Sequence, residues 1–242
     1  MLLVRRDAEI HREEGGWFAA RWHFSFDQYR DPAQMGLGPL RVFNDDRLVP
    51  GAIWPLHPHR DIEGITYVLE GTFEHADSLG NGGILPAGSI QRATLGSGMW
   101  HSERNGSPTE PLRFIQLWIL PDTADLAPSV EQRVFTPADR TDRLLRVAGP
   151  EGGDVVRVHQ DASVHVASLS PGTEARHALA GGRGAYVYLI RGEATLEDVE
   201  VSTGDAARVV EQPGLRIRAR QPSELIVVDV PLRWQPVGVW AR

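Results

Sequence analysis

Short runs of apolar residues, each of strand length, recur along the chain between polar turns. The clearest are ITYVLEG (65–71), RFIQLWIL (113–120), YVYLI (186–190) and LIVVDV (225–230). They are rich in the β-branched and aromatic residues that suit a pleated, half-buried surface. Gly-rich clusters such as DSLGNGG (77–83) and AGGRG (180–184) predict turns between them. Only VEQRV (130–134) and PADRTD (137–142) suggest short helices, so we expect an all-β protein.

The two halves of the chain carry a weak internal repeat. YVLEG (67–71) is answered by YLIRG (188–192), and PAG (86–88) by STG (202–204). Many short strands with Gly-rich turns are typical of sandwiches and barrels, so the repeat predicts two copies of one barrel. Chance similarity of such short patterns is the alternative. We place the boundary near LPDTADLAP, which gives domains 1–125 and 126–242.

Composition and charge narrow the classes of function. The 242 residues suffice for one large or two small domains, and the net charge is −7. An acidic protein is not attracted to phosphate backbones or anionic membranes, so we expect no direct nucleic-acid partner and no membrane association. The chain has no cysteine, so a metal must be held by histidine and carboxylate. Without a secretory signal or long apolar run, we expect a cytoplasmic protein.

Two histidine motifs carry the candidate chemistry. GAIWPLHPHRDIEG places His57 and His59 one residue apart, and Pro58 between them favours an extended backbone. GSGMWHSERN repeats the spacing with His101 and Glu103. Residues i and i+2 of a strand share a face, so two such strands would enclose a metal with three nitrogens and one oxygen. A lone His-x-His is more often an ordinary surface or core pair, but the two motifs together favour a metal site.

These motifs resemble those of the cupins. Gly51-x5-His57-x-His59-x3-Glu63 resembles the first cupin motif, and Gly80-x5-Pro86-x-Gly88 with His101-x3-Asn105 resembles the second, with a longer gap before the histidine. Longer stretches are similar to the pirin family: FSFDQY (24–29), LRVFNDD (40–46), HPHRDIE (57–63), TYVLEGTFEH (66–75), DSLGNGG (77–83) and GMWHSE (98–103). EQRVF (131–135) and VHQD (158–161) resemble bacterial pirin-like quercetin 2,3-dioxygenases. The resemblance covers nearly the whole chain and is denser in the first half.

The resemblance implies a bicupin, two double-stranded β-helix (jelly-roll) barrels packed face to face. It also implies one divalent metal ion, usually iron, held by three histidines and a glutamate. On the matching positions these are His57, His59, His101 and Glu103. Fe(II) fits this ligand set, and Mn, Ni, Co, Cu or Zn suit it too. Glu63 is not implied as a ligand, and we expect it beside the pocket, orienting a histidine.

The second half lacks an equivalent ligand set. Aligning Tyr188 on Tyr67 places Ala178 and Ala180 opposite the two histidines of the first motif, and no histidine follows His177. We therefore expect a metal-free second barrel, with a structural role or with the role of closing one side of the site. We expect the remaining histidines of this half to have roles other than metal binding: His159, His165 and His177.

Two further residues are candidates for the pocket wall. Met99 shares the strand face of His101, and Gln116 shares a face with Phe114 and Trp118. Gln116 would hydrogen-bond a substrate. The more common arrangement is a core strand in which such an amide is hydrogen-bonded within the protein. We expect five other residues to have structural roles: Trp22, Phe24, Phe26, Asp45 and Asp46.

The resemblance implies a dioxygenase that opens the ring of a flavonol such as quercetin and releases CO. A small aromatic substrate and O2 would meet at the metal, and Glu103 would accept the substrate's proton. Eukaryotic pirins are regarded as transcriptional cofactors, so a metal-binding regulatory protein with a protein partner is the second hypothesis. A non-oxidative cupin enzyme such as an isomerase is the third. The family also suggests a monomer.

Overall fold

The computed structural model describes residues 1–241, which are almost entirely β-strands and turns. The strands are β1 (Leu2–Arg5), β2 (His11–Glu14), β3 (Phe18–Trp22), β4 (Leu40–Leu48), β5 (Ile53–His59), β6 (Glu63–Glu70), β7 (Thr72–Asp77), β8 (Gly82–Pro86), β9 (Ser89–Thr94), β10 (Met99–Asn105), β11 (Leu112–Ile119), β12 (Ser129–Val134), β13 (Leu145–Gly149), β14 (Val156–Arg157), β15 (Ser163–Leu169), β16 (Glu174–Ala178), β17 (Arg183–Arg191), β18 (Glu193–Leu196), β19 (Val199–Ser202), β20 (Ala206–Val210), β21 (Gly214–Ala219) and β22 (Ser223–Pro231). The helical elements within these residues are α1 (Pro137–Arg140) and 3₁₀ turns at Asp7–Glu9 and Gly238–Trp240. No helix of the described chain is long and apolar enough to cross a membrane.

The strands form two barrels, each made of a seven-stranded and a four-stranded sheet. In the first barrel the strand orders are β12-β9-β6-β11-β4-β3-β2 and β5-β10-β7-β8. In the second they are β1-β20-β17-β22-β15-β13-β14 and β16-β21-β18-β19. The two halves therefore repeat one architecture, and the predicted bicupin fold is confirmed.

The largest apolar cluster lies between the two barrels. On β11, Ile115 and Leu117 point into this cluster, whereas Phe114 and Gln116 point into the first barrel. Tyr188 of β17 reaches the same cluster from the second barrel. A strand that is buried on both faces carries apolar residues at consecutive positions, which explains the continuous apolar run of β11.

A buried polar contact ties the barrels together at this interface. Asp45 accepts hydrogen bonds from Arg113 Nε and Nη2, at 2.9 and 2.7 Å, and from the Tyr188 hydroxyl at 2.6 Å. Burial alone would raise the pKa of Asp45, but the bonds and charge of Arg113, the bond from Tyr188 and the charge of Arg21 together hold this pKa below its ordinary value. Asp45 is therefore structural, as the sequence indicated.

The barrels exchange terminal strands. β1 pairs with β20 of the second barrel, and β12 pairs with β9 of the first. The domain boundary between residues 125 and 126 stays a prediction. Each barrel includes one strand from the other side of this boundary. The expected helix at 130–134 is wrong, because these residues complete the edge of a sheet as β12, whereas the short helix predicted at 137–142 is confirmed as α1.

The repeat seen in the sequence corresponds to one hairpin that occurs in both barrels. Gly71 follows β6 with φ +81°, and Gly192 follows β17 with φ +99°. A Cβ atom at either position would overlap a backbone carbonyl oxygen, that of Pro111 or that of Pro222. Glycine is thus required twice at the same tight turn.

Candidate metal centre

A β-bulge in β5 aims the first histidine motif into the barrel. On β10, His101 and Glu103 are two residues apart, but their partners on β5, His57 and Trp54, are three apart. The extra residue lies next to Pro55, which has no N–H to donate to the ladder. Trp54 and His57 therefore both face the interior, although strict alternation would put them on opposite faces.

The structure brings the three predicted histidines together. One ring nitrogen of each of His57, His59 and His101 lies within 4.8 Å of the others, close enough for one ion to contact all three. Glu103 adjoins this group, with Oε1 at 3.9 Å from His101 Nδ1. Its placement beside His101 follows from their i, i+2 spacing on β10.

The free ring nitrogens fit a metal ion. Seven of the nine histidines have a ring nitrogen in a hydrogen bond, and the other two are His59 and His101. Both ring nitrogens of His101 are buried without a partner, which is costly unless another group satisfies them. His57 Nδ1 lies 2.7 Å from the Pro55 carbonyl oxygen, so it carries the proton and leaves Nε2 as a free donor to a metal.

Burial shifts the pKa values of these groups, and it keeps two of the histidines in the neutral form that metal binding requires. It lowers the pKa of His59 to about 4 and that of His101 to about 2, helped by the neighbouring histidines, so both rings are neutral at pH 7. Burial raises the pKa of Glu103 to about 7, against the hydrogen bond from Gln116. Glu103 can therefore hold or release a proton near neutral pH.

Gln116 orients the candidate carboxylate ligand. Its Nε2 donates to Glu103 Oε1 at 3.1 Å, and its Oε1 accepts from Thr66 Oγ1 at 2.6 Å. The predicted common face of Gln116 with Phe114 and Trp118 is found, since all three line the same cavity. The amide therefore has hydrogen-bond partners on both atoms and fixes the position of Glu103.

The histidines open into a cavity of about 460 Å³ in the first barrel. Five aromatic side chains line it beside polar and charged ones: Phe26, Trp54, Phe114, Trp118 and Trp240. The Trp118 ring meets the His59 ring with centroids 4.6 Å apart. Pockets of a few hundred Å3 with apolar walls and a few polar groups are typical of small-molecule sites.

Two residues proposed for the pocket lie elsewhere. Met99 faces the barrel interior but packs with Ile62 and Leu95 in an apolar cluster below the site, and it does not line the cavity. Glu63 is fully buried at the contact with the second barrel. It does orient a histidine, but that histidine is His159, whose backbone N–H and Nδ1 each lie 2.7 Å from the carboxylate.

Several residues of the cavity differ from the expectation based on sequence. Phe26 and Asp46, expected to be structural, line the wall together with Asn44. A signal for Asn44 and Asp46 existed, because these polar residues lie two positions apart on β4 and therefore share one face of the strand. Trp240 comes from the other end of the chain, and no local pattern indicated it.

The second barrel has polar groups in a similar place, but they bond to one another. His177 Nε2 lies 2.7 Å from Asp229 Oδ2, and Arg183 Nε donates to Asp229 Oδ1 at 2.7 Å. His165 Nε2 is 3.0 Å from Ser163 Oγ. These contacts give His165 and His177 ordinary roles, and the absence of a metal from this barrel stays a prediction.

Comparison with known proteins identifies relatives over both halves. The family model described as Pirin matches residues 4–119, and that of the quercetinase C-terminal cupin domain matches residues 146–230. A quercetin 2,3-dioxygenase of Escherichia coli (strain K12) is 37% identical over 232 residues, 96% of this chain and 99% of the relative. A pirin-like protein of Caulobacter vibrioides is 37% identical over 216 residues, 88% of this chain and 93% of the relative.

A solved structure agrees closely with the fold. The bacterial pirin YhhW from Escherichia coli, in complex with nickel(II), superimposes with a TM-score of 0.90 at 36% identity. The match covers 98% of this chain and 100% of that one. A relative that binds a divalent metal on the same fold supports the fit of the histidine group to such an ion.

Proposed function

Since the chain belongs to the pirin family, we propose that it is a metal-dependent dioxygenase that opens the ring of a flavonol such as quercetin and releases CO. The observation that carries this proposal is the histidine group at the base of an aromatic cavity of about 460 Å³. The relative named quercetin 2,3-dioxygenase, 37% identical over nearly the whole chain, supports the choice of substrate.

The cavity suits a flat aromatic molecule. Trp54, Phe114 and Trp118 offer ring faces and edges along its walls, and aromatic pairs gain energy from offset or edge contacts. A substrate held in this way has its oxygen-bearing end at the histidines.

We propose that His57, His59, His101 and Glu103 hold the ion, with Fe(II) as the metal in the cell. A divalent ion supplies positive charge that lowers the pKa of a hydroxyl group it contacts. The three imidazoles and one carboxylate leave positions open for the reactants. Nickel(II) in the YhhW structure is consistent with a site that accepts several divalent metals.

Glu103 is the base in this proposal. Glu103 is buried beside the histidines, with Oε1 at 3.9 Å from His101 Nδ1, so its carboxylate is placed to take the proton of a substrate hydroxyl that reaches the ion. Gln116 keeps Glu103 Oε1 in place through the 3.1 Å bond, while Thr66 holds Gln116 from the other side. The overall reaction consumes one O2 and one flavonol, incorporates both oxygen atoms in the ester product and expels one ring carbon as CO.

The stoichiometry of the reaction tests the proposal. Iron-loaded protein is mixed with quercetin in a sealed cell, and O2 consumed, quercetin lost and CO released are measured together. We expect a ratio of 1:1:1, with chelated protein and free iron as controls for autoxidation. Quercetin loss without CO would reject the ring opening, and turnover without O2 would favour a non-oxidative cupin enzyme.

A further inference from the structure

The wall of the cavity formed by β4 carries polar groups that the proposed chemistry does not use. Asn44 and Asp46 lie two residues apart and point into the cavity, whereas Phe43 and Asp45 between and beside them point to the barrel interface. Asn44 is 2% exposed and Asp46 is 5% exposed. These two side chains are therefore buried, polar and aimed at the place where a substrate would lie.

Neither side chain has a partner for its buried oxygen. Asn44 Oδ1 and Asp46 Oδ1 are both buried without a hydrogen bond to any described residue. Gln116, another polar residue of the cavity, differs because its amide is hydrogen-bonded to both Glu103 and Thr66. A buried polar atom without a partner is costly, so two of them side by side in a cavity indicate a ligand that supplies the missing hydrogen bonds.

The chemistry of the pair selects a hydroxyl group. Amide and carboxyl oxygens accept hydrogen bonds from O–H groups, and the carboxyl group also offers a donor when it is neutral. Burial raises the pKa of Asp46 well above its ordinary value, and the charges of Asp45 and Glu103 add to the effect. A carboxyl group at this position, whether charged or neutral, accepts a hydrogen bond from a phenolic hydroxyl.

We propose that Asp46, with Asn44 beside it, binds a second hydroxyl group of the substrate, so that the site selects aromatic substrates with several hydroxyl groups. This inference rests on the proposed function, in which the first oxygen of the substrate lies at the histidine group. The aromatic side chains contact the rings of the substrate, and Asn44 and Asp46 on β4 hydrogen-bond to a hydroxyl group on those rings. The interaction is one of recognition, because Asp46 takes no part in the proton transfer assigned to Glu103.

Binding without turnover tests the inference. The nickel-loaded protein is titrated under anaerobic conditions with quercetin and with 3-hydroxyflavone, which keeps the reacting hydroxyl and lacks the others. A site that hydrogen-bonds a hydroxyl rejects the analogue without it, so we expect quercetin to bind about 10- to 100-fold more tightly. Equal affinity of the natural chain for the two ligands would overturn the inference without the need for any variant.

Substitutions assign the preference to this wall. In Asp46→Leu, the ratio of the two dissociation constants is expected to fall to within about threefold of one, because the hydroxyl then has no partner. The Asp46→Asn side chain can still form hydrogen bonds, so this variant is expected to retain part of the preference for quercetin. Ser89→Ala is the matched control, since Ser89 Oγ is also buried without a partner but lies outside the cavity.

The outcomes separate the two proposals. A ratio that is unchanged in folded, metal-loaded Asp46→Leu protein would overturn the role of Asp46. Selective binding of quercetin with no oxygen uptake in the oxidising assay would reject the proposed reaction and leave the recognition of hydroxyl groups supported. If Asp46→Leu fails to fold, Asp46→Asn and the comparison of ligands on the natural chain still decide the matter.

Discussion

At the scale of single residues, the free or bonded state of each histidine ring separates its roles. His23, His159 and His177 have ring nitrogens bonded to Tyr186, Glu63 and Asp229, in that order. His59 and His101 have no such partner. A ring bonded to another side chain has a structural task, whereas the three rings that lie together without a side-chain partner, His57, His59 and His101, remain available to a metal.

The amide that orients Glu103 gives a first prediction. Gln116→Leu removes the hydrogen bond that lowers the pKa of Glu103, so this pKa should rise further above its ordinary value. A ligand carboxylate must be deprotonated, so affinity for a divalent metal at pH 7 should fall about 10- to 100-fold. Competition with a chelator measures the affinity at pH 7 and pH 8.5, and the deficit should shrink at the higher pH.

Gln91→Leu is the matched control for that experiment. Gln91 is also a buried amide, bonded to Gln132 at 2.7 Å, and it does not line the cavity. Its replacement should leave metal affinity unchanged. An equal loss of affinity in both variants would show that Gln116 acts through general stability and not through Glu103.

The buried His23 predicts a pH dependence of stability. Burial lowers the pKa of His23 from 6.5 to about 3, so between these values the unfolded chain binds a proton that the folded chain does not. Stability therefore falls as pH drops through this window. Relative to His23→Gln, the natural chain should lose about 1.4 kcal/mol of unfolding free energy per pH unit between about pH 6 and pH 4. Urea unfolding of both proteins at several pH values measures this difference, and parallel curves would contradict it.

At the scale of elements, strand alternation predicted much of the site and a bulge limited the prediction. The i, i+2 rule correctly paired His57 with His59 and grouped Phe114 with Trp118. It could not place Trp54 on the same face as His57, because the bulge near Pro55 changes the alternation. Bulges depend on the pairing strand, so a single run of sequence does not reveal them.

The repeated hairpin gives a prediction at this scale. Gly71→Ala and Gly192→Ala each force a side chain into a positive-φ turn and against a backbone oxygen, so each should lower the unfolding free energy by more than about 2 kcal/mol. Gly172→Ala is the control: its φ is +84°, but nothing lies within 4 Å of the added carbon, so a loss of only about 1–2 kcal/mol is expected. Thermal or urea unfolding measures all three, and equal losses would contradict the role of the close contact.

At the scale of the whole molecule, the two barrels depend on each other. β1 and β12 each complete a sheet of the opposite half, and Trp240 returns from the C-terminal end to line the cavity of the first barrel. The Asp45 contact crosses the same interface. The second barrel therefore contributes to the shape of the site although its own polar groups are bonded to one another.

The interface contact predicts a large loss of stability. Asp45→Asn leaves the Arg113 guanidinium buried without its carboxylate, which should cost about 3–5 kcal/mol in urea unfolding. Asp125→Asn removes the carboxylate from an exposed pair with Arg60, and a far smaller loss is expected there. Similar losses in the two variants would show that burial adds nothing to the contribution of the Asp45–Arg113 contact.

Local patterns and family motifs predicted the fold class, the repeat and the histidine group. They did not predict contacts between distant parts of the chain. Glu63 contacts His159 across the interface, and Trp240 lines the cavity from the C-terminal end. Such contacts depend on how complete barrels pack, which no single segment encodes. The metal in the cell, the oligomeric state and the location in the cell stay predictions.

The most direct test of the central claim is oxygen uptake by iron-loaded protein with quercetin, with bound iron measured in the same samples. We predict uptake that tracks the loss of quercetin, and no bound iron and no uptake in His101→Ala. His177→Ala, which alters a bonded histidine of the second barrel, should keep both. Uptake that persists in His101→Ala, or no uptake by protein with iron bound, would contradict the account.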